Sequence, residues 1–214
     1  MRNHAMARHR RHIFPLLRLL VTLLVASCLS PGPQAPSRKP ASVAALPDAP
    51  SYAHRIVIRK SDYTLTLYRG DRPVKTYRAA FGRGYLDGDK RVQGDKRTPE
   101  GDFYICTKNR SRRFYKFLGL SYPELRHAEY GVQSGMISLP EYHRIKEAVA
   151  ERQPPPWDTR LGGAVGIHGR TDDGTGGGSW VSANWTDGCI AMNNADVDEI
   201  YSAVSLGTPV TILP

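Results

Sequence analysis

Two side chains in this chain combine a nucleophile with a base in one short segment, VGIHGRTDDGTGGGSWVSANWTDGCIAMNN from Val165 to Asn194. Cys189 follows the turn dipeptide Asp187-Gly188 and precedes the apolar Ile190-Ala191-Met192. His168 ends a small apolar run, Ala164 to Ile167, and Gly169 after it marks a strand that stops in a tight turn. Twenty residues lie between the two, most of them Gly, Asp, Ser and Thr, so a surface loop that folds back brings thiol and imidazole together. Such a pair does acyl transfer through a thioester: His168 takes the thiol proton, and the thiolate attacks an amide carbonyl. Pairing with imidazolium is expected to bring the thiol below its free value of about 8.5. Backbone N–H groups of Gly188 and Cys189 are the expected oxyanion donors, because a glycine before the nucleophile lets both aim at one point. No aspartate is needed: the carbonyl of Gly169, or a nearby side chain, can fix the imidazole tautomer.

The competing reading of the thiols is a Cys106–Cys189 bridge, since cysteines of exported proteins are commonly oxidised. Against it, Cys106 sits mid-strand in Phe103-Tyr104-Ile105-Cys106, where an inert buried thiol is ordinary, whereas the turn before Cys189 exposes its Sγ.

The elements that hold this pair are mostly strands. From Tyr52 onward the dominant period is two, in Arg55–Arg59, Tyr63–Tyr68 and Val74–Phe81, separated by Lys60-Ser61-Asp62 and by Gly70 to Pro73. Further strands are expected at 101–107, 117–122, 164–168, 189–192 and 209–213. Two short helices are expected, Pro140 to Glu151 with Ser138 as cap and Asn194 to Ser205 closed by Gly207. The fold class is mainly β with a minor α component, a single sandwich or flattened barrel.

Upstream, residues 1–28 have the layout of a secretion signal: a basic start from Arg2 to Arg11, then an apolar stretch interrupted by Pro15 and Arg18. Export to the periplasm or cell envelope follows. Val25-Ala26-Ser27-Cys28 is a candidate lipobox with lipid on Cys28, the only membrane attachment expected; the alternative is an ordinary signal cut between Ala26 and Ser30. Residues 29–51 read as a proline-rich linker and 52–214 as the catalytic domain. The five arginines before residue 28 account for half of the +10 formal charge. The remainder has no basic run interleaved with aromatics, so no nucleic-acid partner is expected. Asp87, Asp89 and Asp95 lack the spacing of a calcium loop and read as turn punctuation, so neither a metal nor another cofactor is expected.

His168-Gly169 followed by Thr186-x-Gly188-Cys189 resembles the signature of the L,D-transpeptidase catalytic domain, also called YkuD-type. A second stretch from Lys90 to Gly101, with Gly94-Asp95 and Thr98-Pro99-x-Gly101, is similar to the family's Gly-Asp and Thr-Pro-x-Gly pattern before a strand. The resemblance covers about Ile56 to Leu213. It implies a peptidoglycan enzyme in which Cys189 attacks the carbonyl on the L-centre of meso-diaminopimelate in a stem peptide. The acyl group would then pass to an amine on a neighbouring stem or on a wall-attached lipoprotein. Alanine at 191 departs from the family's usual arginine, removing a planar cation from the site. A branch with Gly-Cys-x-Ala-Met includes a hydrolase of a diaminopimelate–lipoprotein link, so transfer and hydrolysis (amidase or carboxypeptidase) both remain open. A wall-binding domain with an idle cysteine is the third reading. Thr186, Trp180 and Trp185 are candidates to line a groove for the stem peptide, and Arg97, Tyr122 and His127 to meet its carboxylates. Residues 171–178 form either a flap or slack in the chain.

Overall fold

Alternation of inward apolar and outward polar residues makes the first three strands. In β1 (His54–Arg59) Ile56 and Ile58 are buried, and in β2 (Thr64–Arg69) Leu65 and Leu67 are. β3 (Arg72–Arg78) completes an antiparallel meander whose register shifts between Leu67 and Tyr68. The shift falls where β3 carries Pro73, which has no N–H for the ladder. The computed structural model describes residues 54–111, 113–170 and 184–214.

β4 (Gly101–Ser111) and β5 (Tyr115–Leu120) form a hairpin, followed by β6 (Gly166–His168), β7 (Ile190–Ala191) and β8 (Pro209–Leu213). The eight strands make one ladder in the order β3-β2-β1-β8-β4-β5-β6-β7. β8 is inserted in the middle, parallel to β1 and antiparallel to β4, and so ties the meander to the half that carries the site. The two ends of the ladder also meet. After β3 the chain crosses over and bridges β7, with the Ala80 N–H donating to the Ala191 carbonyl at 2.9 Å and the Ala191 N–H donating back at 2.8 Å. Between the curled halves lies a core that includes Ile56, Leu65, Phe81, Ile105, Leu118, Ile167, Ile190 and Ile212. This is the mainly β, flattened-barrel architecture that the alternation predicts.

Among the described residues there are three α-helices, one more than the expected pair: α1 (Leu125–Gln133), α2 (Leu139–Ala150) and α3 (Asn194–Ala203). α2 starts on a capping box in which the Ser138 and Glu141 side chains serve each other's backbone N–H. α3 turns Val197 and Ile200 into the core and packs on β5 and β6. α1 and α2 enclose a second cluster of Ala128, Ile137, Ile145 and Leu161.

Candidate active site

β6 is three residues long, all buried, and held on both edges. It pairs antiparallel with β5, His168 opposite Phe117, and parallel with β7, His168 opposite Ala191 and Ile167 opposite Ile190. Because side chains alternate, Cys189, one residue before Ile190, projects to the same face as His168 and stands diagonally from it. Strand spacing puts such diagonal Cα atoms about 7–8 Å apart. The sequence therefore brings thiol and imidazole together by pairing two strands, and the intervening loop only has to return the chain.

His168 is 1% exposed, with the Phe114 ring centroid 4.4 Å from its own and Trp185 edge-on at 5.8 Å. Its Nδ1 lies 2.7 Å from the Gly169 carbonyl oxygen. Nδ1–H donates there, which leaves the lone pair on Nε2. Burial holds the imidazole below its ordinary 6.5 despite that hydrogen bond, and the nearby Arg113 charge adds to the effect. Cys189 is half-buried, its Sγ 3.7 Å from the Ala164 carbonyl oxygen. Desolvation pushes its thiol up to about 11, against the pull of the Gly166 N–H and of Lys90. Among the described residues no hydrogen bond joins Nε2 to Sγ. Both shifts favour the neutral thiol and the neutral imidazole, the direction opposite to the thiolate–imidazolium pairing expected from the sequence. Cys106 is a separate free thiol, buried and pushed up to about 12, and no disulfide joins it to Cys189.

The turn before Cys189 is fixed by Thr186. Its hydroxyl donates to the Cys189 carbonyl at 2.7 Å and accepts the Gly188 N–H at 3.2 Å. Gly188 has φ +132°, and a Cβ there would lie 2.7 Å from the Arg97 carbonyl oxygen, so a side chain is excluded twice over. The Gly188 N–H, one of the two donors expected for an oxyanion, is bonded to Thr186 Oγ1 in this structure.

His168, Cys189, Trp185 and Thr186 share one cavity of about 650 Å³. Trp180 and the 171–178 segment lie outside the described residues. Tyr122 and His127 do not meet the cavity, which corrects the expectation that they contact substrate carboxylates. Tyr122 is fully buried and donates its hydroxyl to the Leu161 carbonyl at 3.1 Å. His127 caps α1: its Nδ1 accepts the Glu124 N–H at 3.4 Å, and Nε2 faces Asp89 Oδ1 at 3.3 Å. Arg97 turns toward the Asp89 carbonyl, with Nη1 3.4 Å from the oxygen. The cations that do line the cavity, Arg83, Lys90, Lys96 and Arg113, were not singled out in the sequence. Lys90, Lys96 and Arg97 lie on one loop, in which Lys96 has a left-handed backbone at φ 60°.

Asn194 is a further residue that spacing did not reveal. Its amide accepts the Arg170 N–H at 2.8 Å and donates to the Arg170 carbonyl at 2.9 Å, clamping the chain just after Gly169. A Cβ on residue 169 would stand 2.2 Å from Asn194 Oδ1, which accounts for glycine there. Asn194→Ala is expected to cost about 1–3 kcal/mol, because it removes the side-chain partner of both backbone polar groups of Arg170. Faster hydrogen exchange at the Arg170 amide together with a lowered melting temperature checks this; unchanged exchange would remove the clamp.

The family model of the L,D-transpeptidase catalytic domain matches residues 53–212. The chain belongs to this family, YkuD. No relative was found among curated proteins. Among solved structures, an L,D-transpeptidase from Mycobacterium smegmatis is 14% identical at a TM-score of 0.44, over 76% of this chain and 59% of that one. L,D-transpeptidase 1 from Mycobacterium tuberculosis is 15% identical at 0.42, over 76% and 62%. The helical cell shape determining protein Pgp2 from Campylobacter jejuni is 20% identical at 0.48, over 75% and 47%. The chain thus spans less than two thirds of the length of each of these relatives.

Proposed function

We propose that this chain is a cysteine acyltransferase of peptidoglycan, with Cys189 as nucleophile, His168 as base and Gly169 as the group that orients the base. The observation that carries the reading is the common face of β6 and β7, where imidazole and thiol open into one cavity with the Nε2 lone pair free to take a proton. Cys189 attacks the carbonyl on the L-centre of diaminopimelate in a stem peptide. The Sγ–C bond forms, the thiol proton passes to Nε2 and then to the departing amine of the terminal residue, and a thioester remains. An acceptor amine, on another stem or on a wall-attached lipoprotein, then attacks the thioester and restores the thiol. Trp185 and Thr186 wall the groove, joined in this reading by Trp180. Residues 1–28 direct export to the periplasm or envelope, with Cys28 the candidate lipid anchor, and 29–51 tether the domain. No helix among the described residues is long and apolar enough to cross a membrane.

Incubation of the purified protein with sacculi rich in tetrapeptide stems tests the proposal. New cross-links between stems, absent from a Cys189→Ala control, are the expected result. Trimmed stems without cross-links would reassign the protein to hydrolysis, with water in place of the amine. Unchanged muropeptides would leave a wall-binding domain with an idle cysteine.

A further inference from the structure

The loop between residues 88 and 100 places a buried cation beneath the Cys189 turn. Lys90 is 3% exposed, and its Nζ donates to Asp95 Oδ1 at 2.7 Å and to the Val92 carbonyl at 3.1 Å. An ammonium has three N–H donors. Beyond the Tyr122 ring, whose centroid is 5.9 Å away, the third has no acceptor among the described residues. Lys90 lines the cavity that holds His168 and Cys189, and its Nζ is 3.9 Å from the point where a Cβ on Gly188 would stand. Asp95 balances this charge only in part, since its carboxylate also accepts the N–H groups of Arg91, Val92 and Arg97.

The other charges near Cys189 are less fixed. Asp187 is exposed and held at 2.8 Å by Arg83, itself exposed at the rim. Arg113 stands exposed on the turn between β4 and β5, where water screens it. His168 is neutral at rest. Ala191, where a family arginine would stand, is fully buried and carries no charge. A desolvated, doubly hydrogen-bonded ammonium keeps its position and acts through a low local dielectric.

We infer that Lys90 is a positioning residue of the Cys189 turn: its fixed ammonium favours negative charge on Sγ and on the carbonyl oxygen attacked there, supplying from the 88–100 loop the cation that position 191 lacks. Lys90 forms no bond to substrate. The inference rests on the reading of Cys189 as nucleophile.

The test is the rate at which iodoacetamide, a neutral reagent, alkylates Cys189 in the full chain between pH 7 and 9. Peptide mass spectrometry separates Cys189 from Cys106 and Cys28. Lys90→Met is expected to slow alkylation about tenfold at each pH, as loss of a nearby charge at intermediate dielectric implies. Lys90→Met alone also strands the Asp95 carboxylate, so Lys90→Met/Asp95→Asn is compared, with melting temperatures recorded for each variant. The double variant should be less slow than the single one, because the uncompensated Asp95 charge is also gone, but should stay several-fold slower than the parent, and Lys90→Arg should stay within about threefold of the parent, since it keeps the charge. A double variant that reacts at the parental rate overturns the inference, because Lys90 would then serve only to satisfy Asp95. No wall substrate enters this measurement, so its outcome is separate from that of the sacculus assay.

Discussion

Replacing His168 with alanine is expected to slow acyl-enzyme formation by about 10²–10⁴-fold near neutral pH and to change the shape of its pH profile. Neither member of the pair is charged at rest: burial lifts the Cys189 thiol to about 11 and holds the imidazole below 6.5. Free thiolate at pH 7 is then on the order of 10⁻⁴ of the protein. On the proposed reading the proton leaves during attack, taken by Nε2. In the intact protein the rate should rise as pH climbs through the lowered imidazole pKa, then stay flat until the thiol itself ionises. In His168→Ala only thiolate reacts, so the rate should climb about tenfold per pH unit toward the thiol's value. Stopped-flow acylation followed by intact mass, with Cys189→Ala as the zero, checks this. A variant whose profile stays as flat and as fast as the parent's would remove His168 from the base role. The same shifts bear on stability with opposite signs. The imidazole's contribution is full above 6.5 and is lost as pH falls through its lowered folded value. The thiol's contribution is full below 9.0 and is lost as pH rises toward about 11.

The parts of this molecule legible in the sequence were those set by local periodicity. Ile56 and Ile58, or Leu65 and Leu67, declare their strands because one face is buried and the other wet. Ser138 with Glu141 declares a helix start. α1 was missed because its cap is a Glu124–His127 pair, an unusual capping box, and because Gly131 lies inside it. His127 and Tyr122 were read as contacts for substrate because both are polar. Which polar side chains face a cavity is decided by long-range packing, here by Asp89 and by the Leu161 carbonyl, each distant in sequence. The inward cations were hidden for the same reason. Cys189 and His168 could be singled out because a turn glycine and a strand-ending glycine mark them locally. Their protonation states could not, since those depend on what the whole barrel takes out of water.

Ala191→Arg, which introduces a planar cation two residues after Cys189, is predicted to damage this protein. Ala191 is fully buried in β7, hydrogen-bonded on one side to Ala80, which is also fully buried, and paired on the other with His168. Trp185 closes over the two alanines and meets His168 edge-on. A guanidinium there must either stay in this apolar contact without a partner or push Trp185 away from the imidazole. Overpacking costs about 1–3 kcal/mol and an unpaired buried polar group adds a similar amount, so a loss of about 3–5 kcal/mol is expected. For a domain of this size that corresponds to a drop of roughly 10 °C in melting temperature. Displacing Trp185 lets water reach His168 while the new guanidinium stands beside the imidazole, two changes that act on its pKa in opposite directions, so the acidic limb of the acylation profile should move from its parental position. A variant that melts within about 2 °C of the parent with an unmoved acidic limb would show that position 191 has room for the side chain. The alternative outcome locates the constraint: Ala80, Ala191 and Trp185 form one packed unit, so arginine at 191 would require compensating changes at its neighbours.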